Sequence, residues 1–557
     1  MRRAPRIAPE AAMADLRPAA VVQAAAALLW LPQAALLAFA VGGIAAGQGA
    51  ADMLMPAAAV AGFGILRALL DAAGSRLAFR MARQRLSALR ANALEALARR
   101  SPLDAARPPS GLAASVVVEQ AEAVVPHLAR FQPARWRAAV VPLAILVAVL
   151  PVSWTAALIL AAAAPLIPLF MALVGWRAKA VSAAQLVELG SLNGALLDRL
   201  RGLATLRTLG AVDAAACRLR AEAESLRRRT MAVLRIAFLS SAVLELFSAL
   251  GVAMVAVYVG FSLLGVIDFG HWGQPLDLGR GLFILLLAPA FFEPLRELAA
   301  AWHERAAGEA ALSALAALGA AGPQIQGSDA GAAPAPAGAP AVRLEAVRLR
   351  HAGQAEAVFD GLSLHIAAGE HVALLAPSGG GKSSLLALIA GLVAADAGGI
   401  LIGGEPLTQE SAARLRARMA HIAQRPHIFA GTLAGNVRLG RPEVDLAAAR
   451  RALGAARLDA VAAARGAAPI GEGGHGLSGG EALRLAVARL AAAPHAGLIL
   501  ADEPTAHLDG ATAREVADAL FRLARGRTLI LATHDPALAA RAHRIIRLSP
   551  GLKEAAA

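Results

Sequence analysis

The sequence predicts a two-domain membrane protein: an all-α transmembrane domain of six spanning helices, then an α/β domain built around a phosphate-binding loop (P-loop). Three observations predict it. Apolar runs long enough to cross a bilayer recur through the N-terminal half. The loops between them carry arginines on alternate sides only. The stretch "ALLAPSGGGKSSLLALIAGL", from Ala373, sets a glycine turn between an apolar strand and a helix. The chain of 557 residues exceeds one core, and 57% hydrophobic content with a mean hydropathy of +0.57 is that of a membrane protein.

The elements follow in order. The opening "MRRAPRIAPEAAMADLRPAA" is basic, and no small-residue cleavage site follows a short apolar core, so it reads as a cytoplasmic N-terminus. The six apolar runs are residues 19–46, 53–73, 138–150 with its flanks, 155–175, 236–266 and 282–301. Arg67 interrupts the second, and residues 151–154 form a tight turn between the third and fourth. Arginines from Arg76 to Arg137 fill the loop after the second run, and Arg177 to Arg235 with Lys179 fill the loop after the fourth. The opposite-side loops hold almost nothing basic, Arg280 excepted. Both termini are therefore expected on the cytoplasmic side. Much of the net charge of +14 lies in these loops, so no nucleic-acid partner is needed to explain it. Both basic loops lack Gly/Pro punctuation over most of their length and read as helices continuing beyond the membrane. Residues 320–341 are Pro/Gly/Ala-rich and read as a flexible linker. The expected domains are thus 1–319, a linker 320–341, and an α/β domain 342–557.

The chemistry lies in the last domain. Gly379, Gly380 and Gly381 let successive backbone N–H groups turn onto an anion. Lys382 adds a charge for the β and γ phosphates, and the Ser383 hydroxyl can ligate Mg²⁺. Ala376 stands where this pattern usually opens with glycine, and alanine is costly there only if the position needs φ > 0. In "AGLILADEPTAHLD", from Ala496, Asp502 ends an apolar strand where it can hold Mg²⁺, and Glu503 can polarise water against the γ-phosphate. In "GLSGGEALRLAVARL", from Gly476, Ser478, Gly479 and Gly480 open a helix as a second anion site. His534 follows another apolar strand in "TLILATHD", and Gln424 in "HIAQRPHIFAGTLAGNVRLG" can sense the metal and the attacking water. Ser378, Ser384 and Asp509 are assigned to nucleotide binding with them. Each piece alone has a bland reading as a turn, a solvated strand end or a structural histidine. Their fixed order in one domain does not.

That order resembles the ATP-binding cassette family across residues 342–548. The resemblance implies ATP and Mg²⁺ as ligands, and two cassettes closing head to tail with one phosphate loop facing the other's "LSGG". Glu503 and His534 match the family's catalytic positions. His351 stands where an aromatic ring usually stacks on adenine, and Glu481 where Gln is common. Six spans and one cassette resemble a half-transporter of the exporter type, which must dimerise. Short helices docking on the cassettes are expected near 101–108 and 198–209.

Membrane segments "AALILAAAAPLIPLFMALVG", "LLDRLRGLATLRTLG", "RTMAVLRIAFLSSAVLELFSAL", "VAVYVGFSLLGVIDFGHW" and "LLLAPAFFEPLRELA" resemble the D subunits of the heterodimeric CydDC exporters. This implies a C-type partner, a bacterial inner membrane, support of cytochrome bd and c-type haem protein assembly, and a cargo of cysteine or glutathione. Haem is an alternative cargo, and a drug or lipid exporter an alternative family member. From another class come a membrane cystine reductase and a non-transporting assembly factor. The single cysteine, Cys217, argues against dithiol chemistry within the chain and reads as a packing residue. Cargo-site candidates are Arg67, Glu245, Glu293, Arg296 and His303, with Glu297 beside them and Asp71 as a pairing partner for Arg67. His271 on the outer side reads as a solvated loop histidine.

Overall fold

The computed structural model describes residues 17–165, 167, 196, 199, 202–320, 322–327, 338–351, 353–354, 356–377, 379–466, 468–471 and 476–548. They form two compact units, Met1–Leu97 with Pro108–Ala320, and Ala98–Arg107 with Ala321–Ala557.

The first unit is all helix. Among the described residues, four helical stretches are long and apolar enough to cross a membrane: Arg17–Ala45, Ala51–Arg99, Ala242–Leu263 and Leu278–Leu318. They carry the first, second, fifth and sixth expected runs. The third run lies in the helix Gln132–Val149, and the fourth starts in Trp154–Ala163 and passes outside the described residues. Ser153 caps the latter helix, its Oγ accepting from Ala156 N at 3.2 Å and donating to Gly270 O at 2.7 Å. The helix Leu54–Arg99 has 46 residues and Val212–Leu263 has 52. At 1.5 Å per residue each runs roughly 70–80 Å, more than twice a hydrocarbon core of about 30 Å. Within the basic loops, residues 76–99 and 212–235 are therefore helical extensions of the apolar runs. Phe291, Phe292, Ile284 and Leu287, all fully buried, centre the packing of this unit.

The second unit holds two sheets. One is antiparallel, in the order β2-β1-β4-β5: β1 Val342–Leu349, β2 Phe359–Ile366, β4 Ala397–Ile402 and β5 Glu405–Pro406. The other is parallel, in the order β6-β7-β8-β3-β9: β3 His371–Leu375, β6 Met419–Ile422, β7 Leu498–Asp502, β8 Thr528–Thr533 and β9 Arg544–Arg547. Strands β7 and β8 are buried along their whole length, as continuous apolar runs covered on both faces require. The parallel pairing aligns the carboxyl ends of β6, β7, β8 and β3 at one rim.

Residues 101–109 correct one expectation: they form two turns and no helix, because Pro102, Pro108 and Pro109 interrupt the backbone hydrogen bonding. The helix Leu203–Thr208 does form within 198–209. The middle of the 320–341 segment lies outside the described residues.

Candidate functional site

The rim of the parallel sheet gathers the candidate residues. After β3 the chain turns through Gly379 (φ 82°) and Gly381 (φ 84°), and Gly381 caps the helix Lys382–Ile389. A Cβ on Gly381 would meet Phe359 at 2.9 Å, and one on Gly380 would meet the Ala376 Cβ at 2.8 Å. Ala376 itself is buried with no positive φ, so alanine carries no strain there. Ser378 lies outside the described residues.

Lys382 is buried, and its Nζ donates to Ala376 O at 2.7 Å and Pro377 O at 3.1 Å. The loop's own carbonyls thus hold the ammonium over the turn. Ser383 Oγ donates to Asp502 Oδ2 at 2.6 Å, joining the helix start to the end of β7. Asp502 is buried in register with Ala532 of β8, and Glu503 N donates to Ala532 O at 2.8 Å. Glu503 sits at φ 44°, a left-handed conformation uncommon for a residue with a side chain. Its carboxylate is ringed by three donors: Gln424 Nε2 at 2.9 Å, His534 Nδ1 at 3.2 Å and Lys382 Nζ at 3.6 Å. These groups come from β6, β8 and β3, so the strand order itself assembles them.

The donor set suits a hydrated divalent cation. A hydroxyl (Ser383), a buried carboxylate (Asp502) and an amide (Gln424) are hard oxygen ligands around one point of the rim. His351 Nε2 meets Ser384 Oγ at 3.0 Å, which places the ring against the phosphate-loop helix. Ser478 caps the helix Gly479–Ala491 through a reciprocal capping box with Glu481, so the departure from Gln at 481 has a local structural use. Asp509 caps Gly510–Leu523; the backbone N–H of Thr512, its hydroxyl and the Ala511 N–H hold the carboxyl below the usual range.

The membrane unit contains a cavity of about 700 Å³. It is lined by Arg67, Asp71, Arg137, Glu293 and Glu297 among apolar and amide side chains including Trp30 and Gln33. Arg137 pairs with Glu297 at 2.8 Å, while Arg67 lies 5.2 Å from the Trp30 ring centroid. No Arg67–Asp71 ion pair forms among the described residues. Of the cargo-site candidates, Arg67 and Glu293 line the cavity. Glu245 and Arg296 do not: they pair with each other at 3.1 Å, since two adjacent helices bring the opposite charges together. The His303 side chain lies outside the described residues. Arg137 was missed as a cavity residue, since in sequence it closes a basic loop. The signal was its place one residue before an apolar run.

The family description "ABC transporter transmembrane region" matches residues 19–272, and "ABC transporter" matches 359–506. "Transport ATP-binding protein AarD" of Providencia stuartii is 38% identical over 84% of this chain and 80% of its own. "Glutathione/L-cysteine transport system ATP-binding/permease protein CydD" of Escherichia coli (strain K12) is 37% identical over 85% and 80%. The corresponding CydC of Bacillus subtilis (strain 168) is 31% identical over 92% and 88%. A bacterial Atm1-family ABC exporter solved with ATP bound shares the fold, with a TM-score of 0.75 at 22% identity over 97% of this chain and 95% of that one.

Proposed function

From the premise that the chain belongs to the ABC transporters, among the CydD-type ATP-binding/permease proteins that couple ATP hydrolysis to transport, we propose that it is one half of a heterodimeric exporter of cysteine- or glutathione-type thiols. The carboxylate of Glu503, held by Gln424, His534 and Lys382 at the rim of the parallel sheet, carries the catalytic part of this reading.

Each residue has a distinct task in it. Gly379, Gly380 and Gly381 present backbone N–H groups to the phosphates, and Lys382 leaves the loop carbonyls for the β and γ phosphates. Ser383, Asp502 and Gln424 would hold Mg²⁺, which supplies charge neutralisation on the phosphates when bound. Glu503 orients and polarises the attacking water, and His534 holds Glu503 in place and bonds the γ-phosphate. His351 packs against adenine, and Ser478 to Gly480 serve the partner's nucleotide. Similarity to a CydC-type protein over nearly the whole chain supports a paired partner of the same architecture.

The membrane cavity supports the cargo. It offers Arg67 and Arg137 for a carboxylate, and Asp71, Glu293 and Glu297 for an ammonium group. A zwitterionic amino acid or short thiol peptide presents both. Haem export is the second reading, favoured by Arg67 over the Trp30 ring and Arg137 in the same cavity, which suit propionates and a flat apolar ring. The alternating basic helices support a bacterial inner-membrane protein with a cytoplasmic cassette. ATPase of the purified pair, titrated with cysteine, reduced glutathione and haem, tests this. Stimulation by the thiols is expected, and stimulation by haem alone would replace the cargo.

A further inference from the structure

Residues Ala98–Arg107 belong to the same compact unit as the cassette, although the first two of them end the helix of 46 residues, Leu54–Arg99, that contains the second membrane span. Their attachment is specific. Arg100 forms an antiparallel bridge with Gln324, flanked by Ser101 N donating to Pro323 O and Ile325 N donating to Arg99 O, both at 2.8 Å. Arg100 and Asp104, both buried, form an ion pair, and the Arg100 Nη2 also donates to Ala106 O at 3.0 Å. Leu103 packs against the cassette's core cluster.

The short strand that pairs with this strap is itself tied to the P-loop helix. Gln326 N donates to Gly391 O at 2.9 Å, immediately beyond the C-cap of Lys382–Ile389. Arg416 makes the second tie. Its Nη1 donates to Ala390 O at 3.1 Å and to Gly391 O at 3.4 Å. Its Nη2 donates to Gln326 O at 2.7 Å and Gly327 O at 2.8 Å. One planar guanidinium thus spans the end of the P-loop helix and the strand that holds the strap, a geometry that a lysine ammonium cannot reproduce. The same guanidinium also supplies donors to carbonyls at the orphan end of that helix.

We propose that Arg416 is a positioning residue that clamps the post-membrane strand to the P-loop helix, so that nucleotide-driven movement of that helix is carried through Arg100 and Ser101 into the Leu54–Arg99 helix. The physical reason is stiffness. A half-buried network in which both Nη groups of one guanidinium hold carbonyls of two segments favours one arrangement, and displacing either segment leaves those carbonyls without that donor. A strap held only by apolar contact with Leu103 could slide. The inference rests on the nucleotide reading of the cassette and is independent of the cargo.

The test separates hydrolysis from transmission. The assembled transporter carries Cys217→Ser and Val266→Cys, the latter at an exposed position in the loop between the last two long helices. Labelling by a membrane-impermeant maleimide is measured at rest and after MgATP–vanadate trapping. The parent is expected to label at different rates in the two states. Arg416→Ala is expected to hydrolyse and trap MgATP but to label equally in both, and Arg416→Lys to keep part of the difference. If Arg416→Ala traps nucleotide and keeps the full difference, the clamp is wrong. Should Arg416→Ala fail to assemble, Arg416→Met, which keeps most of the apolar stem and removes the guanidinium, decides on the same two outcomes. A parent that neither hydrolyses nor traps MgATP would remove the nucleotide reading, and the clamp with it.

Discussion

Glu503 takes a left-handed backbone, hydrogen-bonds through its own N–H to β8, and faces three donors. Strain tolerated at one carboxylate is the mark of a position over-determined by its surroundings. Glu503→Gln keeps the shape and removes the base. It should retain MgATP binding and lower hydrolysis at this chain's site by about 10²-fold or more. Single-turnover hydrolysis with the partner's site disabled checks this, and near-normal turnover would remove Glu503 from the role. At this scale the residues proposed for ATP stand out in the sequence because each ends a strand or opens a helix in a distinctive motif. The cavity was only half legible. Arg67 stood out as a charge inside an apolar run, but Arg137 looked like one more loop arginine, and only the start of its helix at Gln132 places it in the cavity. The Glu245–Arg296 pair joins residues far apart in sequence, which no local pattern announces.

The phosphate loop is an element whose tolerance for alanine can be reasoned atom by atom. Ala376 and Gly380 compete for one space: a Cβ on Gly380 would sit 2.8 Å from that of Ala376. Gly380→Ala should therefore cripple nucleotide binding, Ala376→Gly should be nearly neutral, and the double variant should recover part of the loss. Binding of a fluorescent ATP analogue across this double-mutant cycle measures the coupling, and strict additivity would contradict it. The departure from the expected glycine is thus compensated within the loop.

A second element carries a pH dependence. His371 opens β3 with its ring stacked on His543 at 4.6 Å and its Nε2 bonded to Ala524 O. Burial, assisted by His543 and opposed by the Ala524 and Arg527 carbonyls, holds His371 below its usual pKa. The folded cassette therefore excludes a proton that the unfolded chain takes up below about pH 6.5. Stability is fully present above that pH and is lost as pH falls toward the folded value. The cassette's calorimetric transition, identified by its rise with MgATP, should drop between pH 7.5 and 5.5, roughly across the ordinary histidine range. His371→Gln should flatten the drop; an unchanged slope would contradict the assignment. Strand β3 was legible as an apolar run, but the ring stack was not, because it depends on β3 and β9 becoming neighbours.

At the scale of the whole molecule, the alternation of apolar and basic segments announced long helices that pass through and beyond a membrane, and the helices of 46 and 52 residues do so. A short helix is expected near 101–108, and those residues form turns. Pro102, Pro108 and Pro109 were visible, while the pairing of residues 99–101 with 323–325 required the fold. A half-transporter also predicts dependence on a second chain: alone it should show little ATPase, and a C-type partner should raise it. Full thiol-stimulated ATPase from a purified homodimer would contradict heterodimeric pairing.

The most direct measurement is accumulation of labelled cysteine and reduced glutathione in inside-out membrane vesicles carrying this chain with its C-type partner. A thiol exporter driven by this cassette predicts uptake that requires MgATP and falls to background with Glu503→Gln. Uptake unaffected by Glu503→Gln, or steady MgATP hydrolysis with neither thiol accumulating, would contradict it.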